Sequence, residues 1–520
     1  MKTLKSYVCG RWHEAENGFA TLVNPSTEDA VARASSQGMD MAATLAHARD
    51  EGGAALRAMT FAQRGTLLKA ISRALHEHRE ELLDISMENN GTTRSGAKFD
   101  VDGATGTLAF YAALGRDLGE RRWLADGEGV QLGRTSRFWG QHVLMPRHGA
   151  AVLINAFNFP AWGFGEKAAA ALLAGMPIIV KPATSTAWLT ARCMEIMVEA
   201  GILPAGVISL ICGPTGDLLS RLGTQDVLAF TGSAATALKL RGGENLLKNS
   251  TRVNIEADSL NAAVLGRDVQ PGSETWNLCL ADVAREMTQK TGQKCTAVRR
   301  IFVPQASVDP FIKVMGERLN EEVIGNPRDR SVTMGPLATA GQLEDAVKGV
   351  ARLAEVAEIV HGSGRRCDGV GAPAGKGYFM GPVLLQARPD ASDPVIHELE
   401  VFGPVATIIP YTGDPEAVAA AVSRGGGSLV TSLFTDDQAE VESFLAAAGA
   451  FTGRLYVGSA KVAEQMPGSG VALPQSQHGG PGRAGGGAEL GGLRALELYS
   501  QRVALQGNRP MIERAAGTGK

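Results

Sequence analysis

The chain has 520 residues, 44% hydrophobic and 20% charged, ordinary proportions for a globular protein with a sizeable core. That length suggests about three domains, or two with an appendage. Lys and Arg number 51 against 54 Asp and Glu, a formal net charge of −3, which excludes a basic footprint for nucleic acid or an acidic membrane. The six cysteines (Cys9, Cys193, Cys212, Cys279, Cys295 and Cys367) are scattered without CxxC spacing. They read neither as a disulfide framework nor as a metal site, and a reducing compartment is favoured.

The N-terminus, MKTLKSYVCGRWHEAENG, lacks the apolar stretch of a signal peptide. The longest charge-free apolar run, 168–180, is broken by Gly175 and Pro177 and is shorter than the ~18–20 residues a bilayer requires. A cytoplasmic protein without a membrane partner is expected. Residues 40–115 are predicted helical, because Arg64, Leu67, Leu68, Ile71 and Leu75, then Leu82, Leu83 and Ile85, recur at three- and four-residue spacing. From Gly149 the pattern changes. Apolar runs at 151–154, 177–180, 207–211, 227–230 and 253–255 alternate with helix-length segments, the signature of parallel strands joined by crossover helices. The runs lack polar alternation, as strands covered on both faces should.

A second α/β pattern follows Cys295: a strand at 300–304, helices over 308–323 and near 340–355, then strands at EIVHG and VATIIPY. Two Gly-rich stretches, 361–378 and 478–492, are predicted to be loops. Residues 130–147 alternate like a hairpin outside both patterns; with the late strand RVALQG they suggest a subunit-contact appendage. The polar tail beyond Asn508 is predicted to fray.

Several residues could carry chemistry, each with a plainer alternative. Cys295 lies in TGQKCTAV, where Gly292 frees the backbone and Lys294 brings a positive charge. It is either a buried structural thiol or a nucleophile activated by a base or a following helix N-terminus. Glu256 ends a strand, the edge that borders the ligand crevice in open α/β sheets, yet a solvated carboxylate would look the same. FTGS (230–233) follows a strand and precedes a helix, a phosphate-binding context, though Gly232 alone lacks the full glycine set. Asn158 is a candidate side-chain donor or simply a turn or helix cap.

Taken together, NFP (158–160), KPAT (181–184), FTGS (230–233), NIEAD (254–258), GQKC (292–295) and EVFGP (400–404) resemble, in order and spacing, the NAD(P)-dependent aldehyde dehydrogenase superfamily. The resemblance extends from GRW near residue 10 to LRALELYSQR near the end. It implies an α/β fold with a Rossmann-type cofactor domain over 1–128 and 148–256 and a second, catalytic α/β domain over 257–477. A small β oligomerisation appendage is expected over 129–147 and 493–508, and a homodimer or homotetramer with it.

The resemblance also assigns roles. Cys295 matches the nucleophile, Asn158 the oxyanion donor acting with the Cys295 N–H, and Glu256 the general base that activates water. Lys181 matches the lysine at the adenosine ribose, with Thr184 three positions on. Gly232 and Ser233 match the turn facing the pyrophosphate, and Ala257 lies beside the base at the same crevice. Glu400 matches the nicotinamide-ribose carboxylate and Phe402 the aromatic flanking the ring. Lys167 is either part of a proton relay with Glu166 or one half of a surface salt bridge. No metal is expected.

Departures from the family pattern are Phe157 for a usual Trp, Ala237 for a usual Gly, and Asp258–Ser259 for a usual Gly pair. After Arg483, where relatives soon carry a carboxylate, Glu489 is the nearest candidate. Because Thr184 replaces a common glutamate that would repel a 2′-phosphate, NADP is expected over NAD. The stretches 89–115, NAFNFPAWGFGEK and HGGPGRAGGG resemble the dehydrogenases that oxidise ring-opened semialdehydes carried on coenzyme A in aerobic phenylacetate and benzoate degradation. They imply 3,4-dehydroadipyl-CoA semialdehyde as substrate. The rivals are a general aldehyde dehydrogenase, an acylating one in which free coenzyme A replaces water, and a catalytically silent structural relative.

Overall fold

The computed structural model describes residues 1–389, 393–412 and 414–519. Helix Phe61–Glu77 begins with a capping box between Thr60 and Gln63 and buries Leu67, Leu68, Ile71 and Leu75, the stripe its periodicity predicts. It packs along helix Arg94–Leu118, capped at its start by the Thr93 side chain. That helix in turn seats helix Trp162–Ala174. Its buried Asp100 carboxylate accepts the Trp162 N–H at 2.7 Å, and a side chain at Gly165 would meet the Ala104 backbone at 2.9 Å.

The first sheet has seven strands, in the order Arg252–Glu256, Val227–Thr231, Ala151–Ile154, Ile178–Lys181, Ile208–Leu210, Ser6–Val8 and Arg11–His13. Its first five are parallel and the last two antiparallel. Helices on both faces bury nearly every residue of the parallel strands, which is why their sequences show no polar alternation. A second seven-stranded sheet runs Ala357–His361, Val383–Ala387, Val405–Tyr411, Arg300–Pro304, Ala262–Leu265, Ser428–Phe434 and Thr452–Gly458, parallel apart from its first strand. A third, three-stranded antiparallel sheet joins Leu124–Gln131, Phe138–Pro146 and Ser500–Asn508. It leaves Val130, Leu132, Phe138 and Val503 exposed.

Four expectations change. The tail beyond Asn508 does not fray: Arg509–Ala516 is a helix, held by the Trp123 indole donating to the Ala515 carbonyl at 3.1 Å and by Arg509 lying over Trp139. The helix predicted over 308–323 ends at Leu319. The hairpin's first strand starts at Leu124, ahead of the predicted 130. Residues 478–492 are not simply a loop, because Gln477–Gly479 and Ala488–Leu490 pair antiparallel. This small hairpin lies against the end of strand Arg252–Glu256. Gly485, at φ 107°, leaves no room for a side chain, since a Cβ there would sit 2.2 Å from the Ile255 carbonyl oxygen.

Candidate active site

Parallel strands of the first sheet end at one edge, and their C-terminal loops supply the first groups. Asn158 follows strand Ala151–Ile154, Gly232 and Ser233 follow Val227–Thr231, and Glu256 closes its own strand. The second unit delivers Cys295 on a loop after helix Glu274–Thr288. Lys290, Thr291 and Gly292 are all left-handed, at φ 54°, 58° and 64°, and they bend that loop back toward the first sheet. Such strain persists only where surroundings fix it. Here Thr291 donates to the Gly335 carbonyl at 2.8 Å, and Asn261 donates to the Cys295 and Ala297 carbonyls at 2.7 and 2.9 Å. Asn158 Nδ2 donates to the Gln293 carbonyl at 3.0 Å, which places its amide beside the loop that carries Cys295.

Two details of the Cys295 surroundings differ from expectation. Lys294 points away, fully buried, with its ammonium donating to Glu286 at 2.6 Å and Gln289 at 2.9 Å. No helix follows Cys295, since the next regular element is strand Arg300–Pro304. The groups that do face the thiol are Glu256 and His478. His478 Nε2 lies 3.9 Å from Cys295 Sγ and 3.3 Å from Glu256 Oε2. The carboxylate contact is an ion-pair distance without hydrogen-bond alignment, and both Glu256 oxygens are otherwise buried and unpartnered among the described residues. Burial would raise the Glu256 pKa, but His478 and then Lys167 outweigh it and hold the carboxyl well below its ordinary range. His478 is raised because Glu256 overcomes the burial that disfavours its charge. Burial, then the Glu256 carboxylate, push the Cys295 thiol up.

Lys167 is no surface residue. Its side chain is 0% exposed, 3.0 Å from Glu166 Oε1 and 3.1 Å from Glu489 Oε2. Burial disfavours its charge, yet Glu489 and Glu166 outweigh that and raise its pKa. Burial pushes Glu489 upward against the pull of Lys167. Asn254 donates to Glu489 Oε1 at 3.0 Å, tying this carboxylate to the strand that carries Glu256. The sequence offered Glu489 only as a candidate and did not single out His478. Its one signal was being the histidine that opens the Gly-rich run.

Most of the remaining predicted residues sit at or just past strand ends of the first sheet. Ser233 caps helix Ala234–Arg241, and the Gly232 N–H donates to the Glu256 carbonyl at 3.2 Å. The Ala257 N–H donates to the Ala484 carbonyl at 3.0 Å. Lys181 ends its strand half-buried, with Thr184 at the start of the following turn. Glu400 accepts the Ser259 N–H at 3.1 Å and lies 3.5 Å from Arg299; burial raises its pKa to about 7. Phe402 meets Phe157 edge to face, with centroids 5.8 Å apart. Asp258, one of the departures, accepts the Ala234 N–H at 3.3 Å and pairs with Arg483 at 3.2 Å. Cys295, Glu256, Asn158 and His478 line a cavity of about 40 Å³. Phe99, Phe159 and Trp162, packed edge to face, line it as well.

A thiol, a carboxylate and an amide donor thus converge at the C-terminal edge of an open α/β sheet, the place where such sheets bind their ligands. Comparison with known proteins supplies the class. The aldehyde dehydrogenase family matches residues 12–502, and the chain belongs to that family: it is an enzyme that oxidises aldehydes with a nicotinamide cofactor. It is 45% identical to the 3,4-dehydroadipyl-CoA semialdehyde dehydrogenase of Aromatoleum evansii, over 92% of this chain and 93% of that protein. Among solved structures, PnpE from Pseudomonas sp. WBC-3 superposes with a TM-score of 0.84 at 24% identity, covering 98% of each chain. A betaine aldehyde dehydrogenase from Staphylococcus aureus in complex with NAD+ superposes with a TM-score of 0.83 at 23% identity, again covering 98% of each.

Proposed function

We propose that the chain oxidises a coenzyme A-bound semialdehyde, 3,4-dehydroadipyl-CoA semialdehyde, to its carboxylic acid, with NADP as oxidant and water as acyl acceptor. The observation that carries this reading is the 45% identity, across nearly the whole length of both proteins, to a dehydrogenase of that substrate.

A dinucleotide would lie along this edge. Thr231 Oγ1 is buried without a hydrogen-bond partner among the described residues, and Glu400 Oε1 has only the 3.5 Å ion-pair contact with Arg299. Gly232 and Ser233 stand at the start of a helix, where a phosphate would be held. Lys181 and Thr184 would meet the adenosine ribose, and the neutral Thr184 would not repel a 2′-phosphate. Glu400 and Phe402 would hold the nicotinamide end. When bound, NADP takes up the hydride released from the substrate carbon.

The chain's own groups supply the other steps. The Cys295 thiol gives its proton to the Glu256 carboxylate, and its sulfur bonds to the aldehyde carbon. Asn158 and the Cys295 N–H stabilise the oxygen of the thiohemiacetal. After hydride loss a thioester remains on Cys295. Glu256 then takes a proton from water, whose oxygen attacks the thioester, and the thiolate leaves as the carboxylic acid forms. The cavity that both residues line has room for about one or two waters. Lys167, linked to Glu166 and Glu489, keeps the carboxylate surroundings compensated and offers a path for the proton to leave. Glu256 beside the thiol favours hydrolysis over transfer to free coenzyme A.

The acyl chain would pass the aromatic side chains to reach Cys295 while the coenzyme A moiety stays outside, where its contacts orient the aldehyde. The exposed apolar side chains of the three-stranded sheet fit contact between subunits of a homodimer or homotetramer.

The test is a substrate panel read by NADPH or NADH absorbance, with and without added free coenzyme A. The C6 semialdehyde on coenzyme A should surpass hexanal-like aldehydes in kcat/KM, with no need for free coenzyme A. Equal efficiencies would leave a general aldehyde dehydrogenase. Dependence on free coenzyme A would establish the acylating reaction instead.

A further inference from the structure

We infer that Cys295, His478 and Glu256 form a three-ligand site for a borderline divalent cation of the Zn²⁺ type, and that filling it switches the enzyme off. The site rests on geometry. One donor atom from each of the three residues lies within 4.8 Å of the other two. The nitrogen–oxygen separation is 3.3 Å and the sulfur–nitrogen separation 3.9 Å. A tetrahedral ion with Zn–N near 2.05 Å, Zn–O near 2.1 Å and Zn–S near 2.3 Å has ligand–ligand edges of roughly 3.4 to 3.6 Å. Completing three corners therefore asks the sulfur to close by about 0.3 Å on the imidazole nitrogen and by up to about 1.2 Å on the carboxylate oxygen.

The ligands are available and chemically matched. Both Glu256 oxygens lie buried without a hydrogen-bond partner among the described residues, so their lone pairs are free to coordinate. Thiolate, imidazole and carboxylate together suit Zn²⁺ and Co²⁺, whereas Mg²⁺ and Ca²⁺ prefer oxygen-only sets. The fourth corner faces the cavity of about 40 Å³, enough for a bound water. A neighbouring triple, Glu166, Glu256 and Glu489, is not a rival site. The Lys167 ammonium, 3.0 Å from Glu166 and 3.1 Å from Glu489, already fills its cationic role.

Binding would exchange protons for metal: the thiol loses its proton to solvent as the S–Zn bond forms, an imidazolium at His478 loses one as nitrogen coordinates, and no electron moves. The sulfur that must attack the aldehyde and the carboxylate that must activate water are then both engaged. This consequence rests on the proposed roles of Cys295 and Glu256; the binding itself does not.

Co²⁺ is the probe, because a thiolate ligand gives it a near-ultraviolet charge-transfer band and tetrahedral coordination gives it strong visible bands. Titrating the full-length protein should show one Co²⁺ per chain with both features, displaced by Zn²⁺. Cys295→Ala should abolish the charge-transfer band. His478→Phe and His478→Gln should each weaken Co²⁺ binding at least about 100-fold, with tryptophan fluorescence and circular dichroism reporting that both variants are folded. Zn²⁺ should inhibit aldehyde oxidation over the range in which it displaces Co²⁺, and EDTA should restore the activity. An unchanged Co²⁺ affinity in both folded histidine variants, or a band that survives Cys295→Ala, would overturn the site. Binding with all the expected features but without inhibition would leave the site standing and refute the roles given to Cys295 and Glu256.

Discussion

Replacing Lys167 with Met keeps the volume of the side chain and removes its charge from a fully buried cluster. Each carboxylate contact, at 3.0 and 3.1 Å, is worth about 5.5 kcal/mol at an effective dielectric of ~20. Against this stands the desolvation of the lysine itself, several kcal/mol, which the variant no longer carries. The loss also has a ceiling, because stranded carboxylates can take up protons. Glu489 is already pushed upward by burial, so its neutralisation is easy. Protonating a second carboxyl of ordinary pKa ~4.3 costs about 3.7 kcal/mol at pH 7 and about 1 kcal/mol at pH 5. Lys167→Met should therefore lose about 4 kcal/mol at pH 7, within the range for a broken buried pair, and about 1 kcal/mol at pH 5. The sign follows from linkage: the variant's folded state binds extra protons, so acid restores relative stability. Urea unfolding followed by tryptophan fluorescence at both pH values, wild type beside variant, measures the difference. An equal loss at the two pH values, or a loss below about 1 kcal/mol at pH 7, would refute the account of the cluster.

Three further outcomes bear on the chemistry. Cys295→Ala should abolish aldehyde oxidation while cofactor binding, read by fluorescence quenching, is retained; appreciable turnover would remove Cys295 from its role. Glu256→Gln should slow thioester hydrolysis more than hydride transfer, giving a first-turnover burst and a slow steady state in rapid mixing, and a wild-type steady state would reassign the residue. Thr184→Glu should move preference from NADP toward NAD by placing a negative charge near the 2′-phosphate, and a wild-type enzyme that already prefers NAD would contradict the reasoning.

How much was legible in the sequence follows from how local each signal is. The parallel strands were readable because burial on both faces removes polar residues, as in 151–154 and 227–230. The ordered motifs around Asn158, Glu256 and Cys295 sufficed to recognise the family. Lys294 misled because charge adjacent in sequence was taken for charge adjacent in space; its ammonium is turned to Glu286 and Gln289 on the other side of the loop. The 478–492 run carries no hydrophobic period, so its hairpin could not be read locally. Its order comes from contact with the Ile255 carbonyl, where Gly485 and Gly487 allow close approach. For the same reason His478 was invisible as a site residue and Glu489 was no more than the nearest candidate. The tail helix was missed because its support comes from Trp123 and Trp139, almost 400 residues upstream.

The clamp between Lys167 and Glu489 also sets an order of events during synthesis. These partners are 322 residues apart (489 − 167), which at about 5–20 residues per second is roughly 16 to 64 s of translation. Throughout that interval helix Trp162–Ala174 carries a cation whose second counter-charge has not yet been made. The first sheet can form early, but its central helix can settle into a dry interior only when the last hairpin arrives. Cys295, Glu256 and His478 thus come together with Glu489 only after residue 489 has been made. A nascent or truncated chain ending before residue 478 would hold Cys295 without His478 and Glu489, and with the floor of its active site still open to water.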